Sequence, residues 1–116
     1  MKLLNNRQIE ARIRDLEYLN ATVAQLQKDF AMLDLDIQID LTEEDPYGRF
    51  RQKMEEILQF LIERNDDKLA NLLYRIDLNE DTIRQNSSEN DDFTTLLADL
   101  IIRRELMKVI IRKEFS

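Results

Sequence analysis

Residues 16–33 read LEYLNATVAQLQKDFAML, and the spacing within them decides the fold. Leu16, Leu19, Val23, Leu26, Phe30 and Leu33 recur at alternating steps of three and four, the seam of a coiled coil or of a long bundle helix. Ile9 upstream and Ile37 downstream share the register, while Arg12 interrupts it early and Asp40 ends it. Asn5 or Asn6 can cap this helix, with Leu3 and Leu4 placed for a hydrophobic staple. The pattern predicts a long heptad helix over 1–33, ahead of a helical core over 42–116, in a single helical domain of 116 residues.

Between them, residues 33–41 read LDLDIQIDL, a strict apolar/polar alternation. Period two fits a half-buried strand, or an extended segment lying on the bundle, near 34–41. Asp and Ile are mediocre helix formers, which favours that over helix, although Leu33 and Ile37 also continue the heptad. The chain has no second strand candidate of equal quality, so a strand here would pair with its copy in another subunit.

Further on, helix signals dominate. The acidic stretch 42–45 followed by Pro46 marks a helix start, with Gly48 inside its first turn at a small cost. Phe50, Met54, Ile57, Leu58, Leu61 and Ile62 give that helix one apolar face to about Arg64. Asn65 can cap a third helix carrying Leu69, Leu72, Leu73 and Ile76, and Asn79 a short fourth over 80–84. QNSSENDD (85–92) is a polar loop, after which Asp91 or Asp92 starts the last helix. That helix is apolar on two sides: Phe93, Leu96, Leu97, Leu100, Met107, Ile111 and Phe115 on one, Ile102, Leu106 and Val109 on the other. Two stripes predict a central helix, the spine of an all-α bundle of four to five helices.

Composition removes many functions. The chain has no Cys, no His, one Gly and one Pro. Thiolate metal sites, disulfides, Ser-His-Asp triads, HExxH sites and phosphate-binding glycine loops are therefore out of reach. The N-terminus lacks the apolar core of a signal peptide, and the longest apolar run is four residues, 30–33, against about 20 for a membrane span. A cytoplasmic location without membrane association is expected.

The remaining motifs are weak. Asp34, Asp36, Gln38, Asp40, Thr42 and Asp45 fall on the offsets of a calcium-binding EF-hand loop, but Ile39 stands where its glycine belongs. Leu69, Leu72 and Leu73 spell LxxLL, which is also an ordinary amphipathic face. Arg103, Arg104, Lys108, Arg112 and Lys113 make the last helix basic, but cations near a helix C-terminus also oppose its dipole. A net charge of −7 disfavours direct nucleic-acid binding. The carboxylates of 55–67 sit beside Arg and Lys as surface pairs, so no catalytic residue, cofactor or metal site is expected.

KLANLLYRIDLNED (68–81) and LADLIIRRELMKVIIRKEF (97–115) resemble a family of small bacterial helical proteins with no assigned activity. The resemblance implies an all-α fold and no mechanism. Arg104 falls within an apolar stripe, where a buried guanidinium needs a carboxylate; Asp77 or Asp99 would form that structural ion pair.

Two functions fit these features. The first is a non-enzymatic protein-interaction or regulatory module, self-associating as a homodimer through Leu16, Leu19, Val23, Leu26, Phe30 and Leu33; the same seam also suits folding back on its own bundle. The second is a nucleic-acid-linked regulator, working through the basic last helix or through acidic mimicry of a phosphate backbone. The charge is uneven: residues 29–48 hold seven acids and no base. Glu43, Glu44, Asp45, Asp66, Asp67, Glu80, Asp81, Asp91 and Asp92 suit helix starts, where the dipole favours them. Asp29, Asp34, Asp36 and Asp40 have no such local reason, which makes Asp34, Asp36 and Asp40 candidates for binding a partner.

Overall fold

A computed structural model describes residues 6–42, 44–87 and 92–115. Among the described residues six helices follow one another: α1 (Asn6–Arg12), α2 (Leu16–Ala31), α3 (Pro46–Arg64), α4 (Asp66–Arg75), α5 (Glu80–Gln85) and α6 (Phe93–Glu114). Among the described residues there is no strand. The fold is all-α, with more helices than the four to five expected.

The extra helix comes from a break in the expected long N-terminal helix. Asp15 leaves the helical region (φ −84°, ψ 116°), and its side chain accepts from Glu17 N at 2.9 Å. Aspartate is a strong N-cap, so the chain stops after Arg12 and restarts at Leu16. The break turns Ile9 and Ile13 onto Leu106 and Ile110 of α6, forming a small second core. Asn5, Leu3 and Leu4, expected to cap and staple the helix, lie outside the described residues, as do Glu43 and Asp91.

The strand-like segment near 34–41 is also corrected. Asp34 takes a left-handed conformation (φ 60°), Leu35 N donates back to Phe30 O at 3.0 Å, and Asp34 N to Ala31 O at 3.1 Å. This crossed pair of bonds closes α2 in the manner of a Schellman motif, with aspartate where glycine is usual. Asp77 (φ 63°) closes α4 the same way, with Leu78 N on Leu73 O at 2.9 Å. Past Asp34 the chain is irregular, yet its alternation survives as burial. Ile37 and Leu41 are buried, Leu35 and Ile39 half-buried, and Asp36, Gln38 and Asp40 exposed. An apolar/polar period of two needs only alternate side chains facing a core; the ladder it suggested requires a partner edge that this fold does not provide.

Pro46 opens α3 behind Asp45, whose carboxylate accepts from Gly48 N at 3.2 Å. Any Cβ at Gly48 would collide with that carboxylate. Asn65, Asn79 and Asp92 cap α4, α5 and α6 through side-chain oxygens. The main core joins Leu19, Leu26 and Phe30 of α2 to Phe50, Met54 and Leu58 of α3, Leu72 of α4, and Leu97, Ile101 and Ile102 of α6. α6 packs against α1, α2 and α3, as its two apolar sides require.

Candidate functional site

The seam expected to dimerise is used inside the chain. Leu19, Val23, Leu26 and Phe30 are buried in the main core and Leu33 packs partly against it, while Leu16, in the first turn of α2, stays 46% exposed. Apart from Leu16, this set is not a free face in the folded chain, because α3, α4 and α6 cover it. The LxxLL leucines behave alike: Leu72 is buried, and Leu69 and Leu73 lean on the same core.

Two departures from an ordinary apolar bundle remain. The first is a pair of buried carboxyls. Asp29 of α2 is 3% exposed and Glu105 of α6 is fully buried. Asp29 Oδ1 accepts from Arg75 Nε of α4 at 3.1 Å, and Glu105 Oε1 from Lys108 Nζ at 2.9 Å. The other oxygens, Asp29 Oδ2 and Glu105 Oε2, are buried with no N–H or hydroxyl partner, so a protonated Glu105 is the donor that can answer Asp29. Loss of water and the hydrogen bond to Asp29 together push the Glu105 carboxyl up to about 7, against the pull of Lys108. Thr22, the third buried polar residue, satisfies itself by donating to Tyr18 O at 2.8 Å.

Both acids carried a sequence signal. Glu105 lies three residues after Ile102 and four before Val109, inside the second apolar stripe of the last helix. Asp29 lies three after Leu26 and four before Leu33, on the edge of the seam. Neither lines the grooves around Tyr74, Arg49 or Phe60.

The second departure is a groove on the flank of α4, beside its core leucines and sharing Leu73 with them. Ala70, Leu73 and Tyr74 of α4 form one wall; Asp77, Leu78 and Asn79 form the turn, and Glu80 and Ile83 of α5 close it. The space measures about 650 Å³ and is lined mainly by carbon. Tyr74 stands at its rim, 89% exposed.

Asp34, Asp36 and Asp40 do not gather into one site. Asp34 is the helix stop, Asp36 borders a smaller groove beside Phe60, and Asp40 borders another beside Arg49. The Thr42 side chain and the Thr42 N–H, at 2.9 Å, hold the Asp40 carboxyl below its usual range. Among the described residues no three acidic side chains are placed to hold a metal ion.

Arg104 pairs with Asp77 (Nη2–Oδ2 2.8 Å) and donates to Ile76 O at 3.1 Å, tying α6 to the end of α4. Asp99 is not part of that contact; it binds Arg103 at 2.8 Å and Tyr47. The other cations of α6 are also engaged: Arg103 with Glu10 as well, Lys108 with Glu105, Arg112 with Gln25, and Lys113 with Glu17. Glu114 joins Arg12 and the Tyr18 hydroxyl, which hold its carboxyl below the usual range. A phosphate backbone approaching α6 would compete with these contacts.

Among the described residues no helix is long and apolar enough to cross a membrane. Comparison of the chain with protein-family models, curated proteins and solved structures finds no match. The fold, its buried carboxyl pair and its carbon-lined groove are therefore the basis for a functional reading.

Proposed function

We propose that the chain is a non-enzymatic protein-interaction module that receives apolar side chains of a partner in the α4–α5 groove. The observation that carries this is the groove itself: an open, carbon-lined space of about 650 Å³ with a tyrosine 89% exposed at its rim. Tyrosine at a rim offers a large apolar face and a polar tip, the combination enriched where proteins meet. The same reading moves the interface away from the heptad seam, whose leucines are occupied by the chain's own core.

A photo-crosslinking residue placed at Tyr74, compared with one at exposed Asn20 on α2, tests it. The expected result is a discrete adduct with one partner from position 74 alone, lost when the groove is blocked by Ala70→Arg. Equal adducts from both positions, or none from position 74, would overturn the assignment.

A further inference from the structure

We infer that the α4–α5 groove is built for a cationic amphipathic helix; this rests on the groove being a docking site and adds the chemistry of its occupant. The floor is apolar: Ala70, Leu73, Leu78 and Ile83. The rim is acidic. Asp77 and Glu80 line the groove, with side chains 79% and 88% exposed, and Asp81 follows at 77%. Asp66 lies one helical turn before Ala70 on the same face of α4 and is exposed.

Two cations reach these acids, and one of them, Arg84, is itself 68% exposed. Arg104 reaches Asp77 from the core side with only 19% of its side chain exposed, and Arg84 is divided between Glu80 at 3.6 Å and Asp81 at 3.4 Å. Residues 76–99 as a whole carry seven acids and one base. An apolar floor under an acidic rim complements a helix with an apolar stripe flanked by Lys or Arg, and repels one flanked by Glu or Asp.

The shape narrows the occupant further. Strand addition needs an exposed sheet edge, and none exists among the described residues. Proline-rich ligands need a row of aromatic side chains, whereas among the described residues Tyr74 alone of the aromatics lines this groove. The wall is α4, ten residues and so about 15 Å long. That length accepts two to three turns of a helix, with anchors recurring at three- and four-residue steps.

The test is fluorescence anisotropy of the full chain with three labelled peptides of about 14 residues. One has leucine anchors at helical spacing with lysine elsewhere, one has the same anchors with glutamate, and one keeps lysine but replaces leucine by serine. Wild type should bind the Lys/Leu peptide saturably, the Glu/Leu peptide at least about tenfold more weakly, and the Lys/Ser peptide not measurably. Ala70→Arg, at an exposed position that keeps the helix, should weaken Lys/Leu binding about tenfold, and Glu80→Lys about threefold. Glu/Leu binding as tight as Lys/Leu, but still blocked by Ala70→Arg, would overturn the cationic occupant and leave the groove as a docking site. Failure of both leucine peptides to bind, or binding indifferent to Ala70→Arg, would overturn the docking site as well.

Discussion

Glu105→Gln isolates the buried carboxyl pair. The groups that face Glu105 are Asp29 from α2 and Lys108 from its own helix, with Arg75 of α4 on the far side of Asp29. Burial and the Asp29 hydrogen bond raise the Glu105 carboxyl from an ordinary 4.5 to about 7. The folded chain therefore holds this proton more tightly than the unfolded chain does. Stability from it is fully present below about pH 4.5 and is lost as pH rises through about 7. At about 1.4 kcal/mol per pH unit, the span amounts to about 3 kcal/mol. Glutamine removes the titration while keeping the shape, and its amide can donate to Asp29 Oδ2 as its carbonyl accepts from Lys108. Urea unfolding from pH 5 to 8.5 should show wild type losing about 3 kcal/mol across the range relative to Glu105→Gln. The two should agree within about 1 kcal/mol at pH 5, and the variant should be the more stable by about 1–3 kcal/mol at pH 8, where wild type buries a second negative charge. The window is clean because the chain has no histidine, so no other side chain ordinarily titrates within it. Parallel curves for the two proteins from pH 5 to 8.5 would refute the raised Glu105 carboxyl.

Arg75→Met should destabilise by about 2 kcal/mol or more, since it strands the Asp29 carboxylate in the core, and adding Asp29→Asn should recover part of the loss in the same urea assay. Asp34→Gly should stabilise by about 0.5–1 kcal/mol, raising the urea midpoint without changing the slope, because glycine takes the left-handed conformation at less cost than aspartate. Glu114→Ala should speed amide hydrogen exchange at Ile9 and Ile13 while leaving α3 protected, since Glu114 joins Arg12 at the end of α1 to the end of α6. Uniform acceleration across all helices would show that α1 does not open by itself.

The helical class and most helix starts were legible because local chemistry sets them. Pro46, Asn65, Asn79 and Asp92 act at the termini where their side chains point, whatever the rest of the chain does. The break at residues 13–15 was missed because a heptad register weighs apolar spacing and ignores capping strength. Asp15 followed by Leu16 and Glu17 is a helix start as plausible as the others, placed within a pattern that seemed continuous. The alternation in 33–41 misled for the opposite reason. It recorded correctly which side chains face the core, but the backbone pairing that separates a strand from an irregular segment depends on neighbours that a local pattern does not contain.

The acids show how far charge alone could go. Asp29, Asp34, Asp36 and Asp40 looked alike as charges without a local reason, and they separate into three physical situations. Asp34 ends a helix in a conformation that aspartate tolerates and most residues do not. Asp36 and Asp40 are solvated and hold short local hydrogen bonds, with Gln38 at 3.3 Å and Thr42 N at 2.9 Å. Asp29 is buried, and its charge is answered by Arg75 from a helix 46 positions away in sequence. Only this last case constrains the fold at long range, because a carboxylate taken out of water requires its cation to be in place. Arg75 stands one residue beyond Tyr74, so the same turn of α4 that anchors the buried pair also presents the groove.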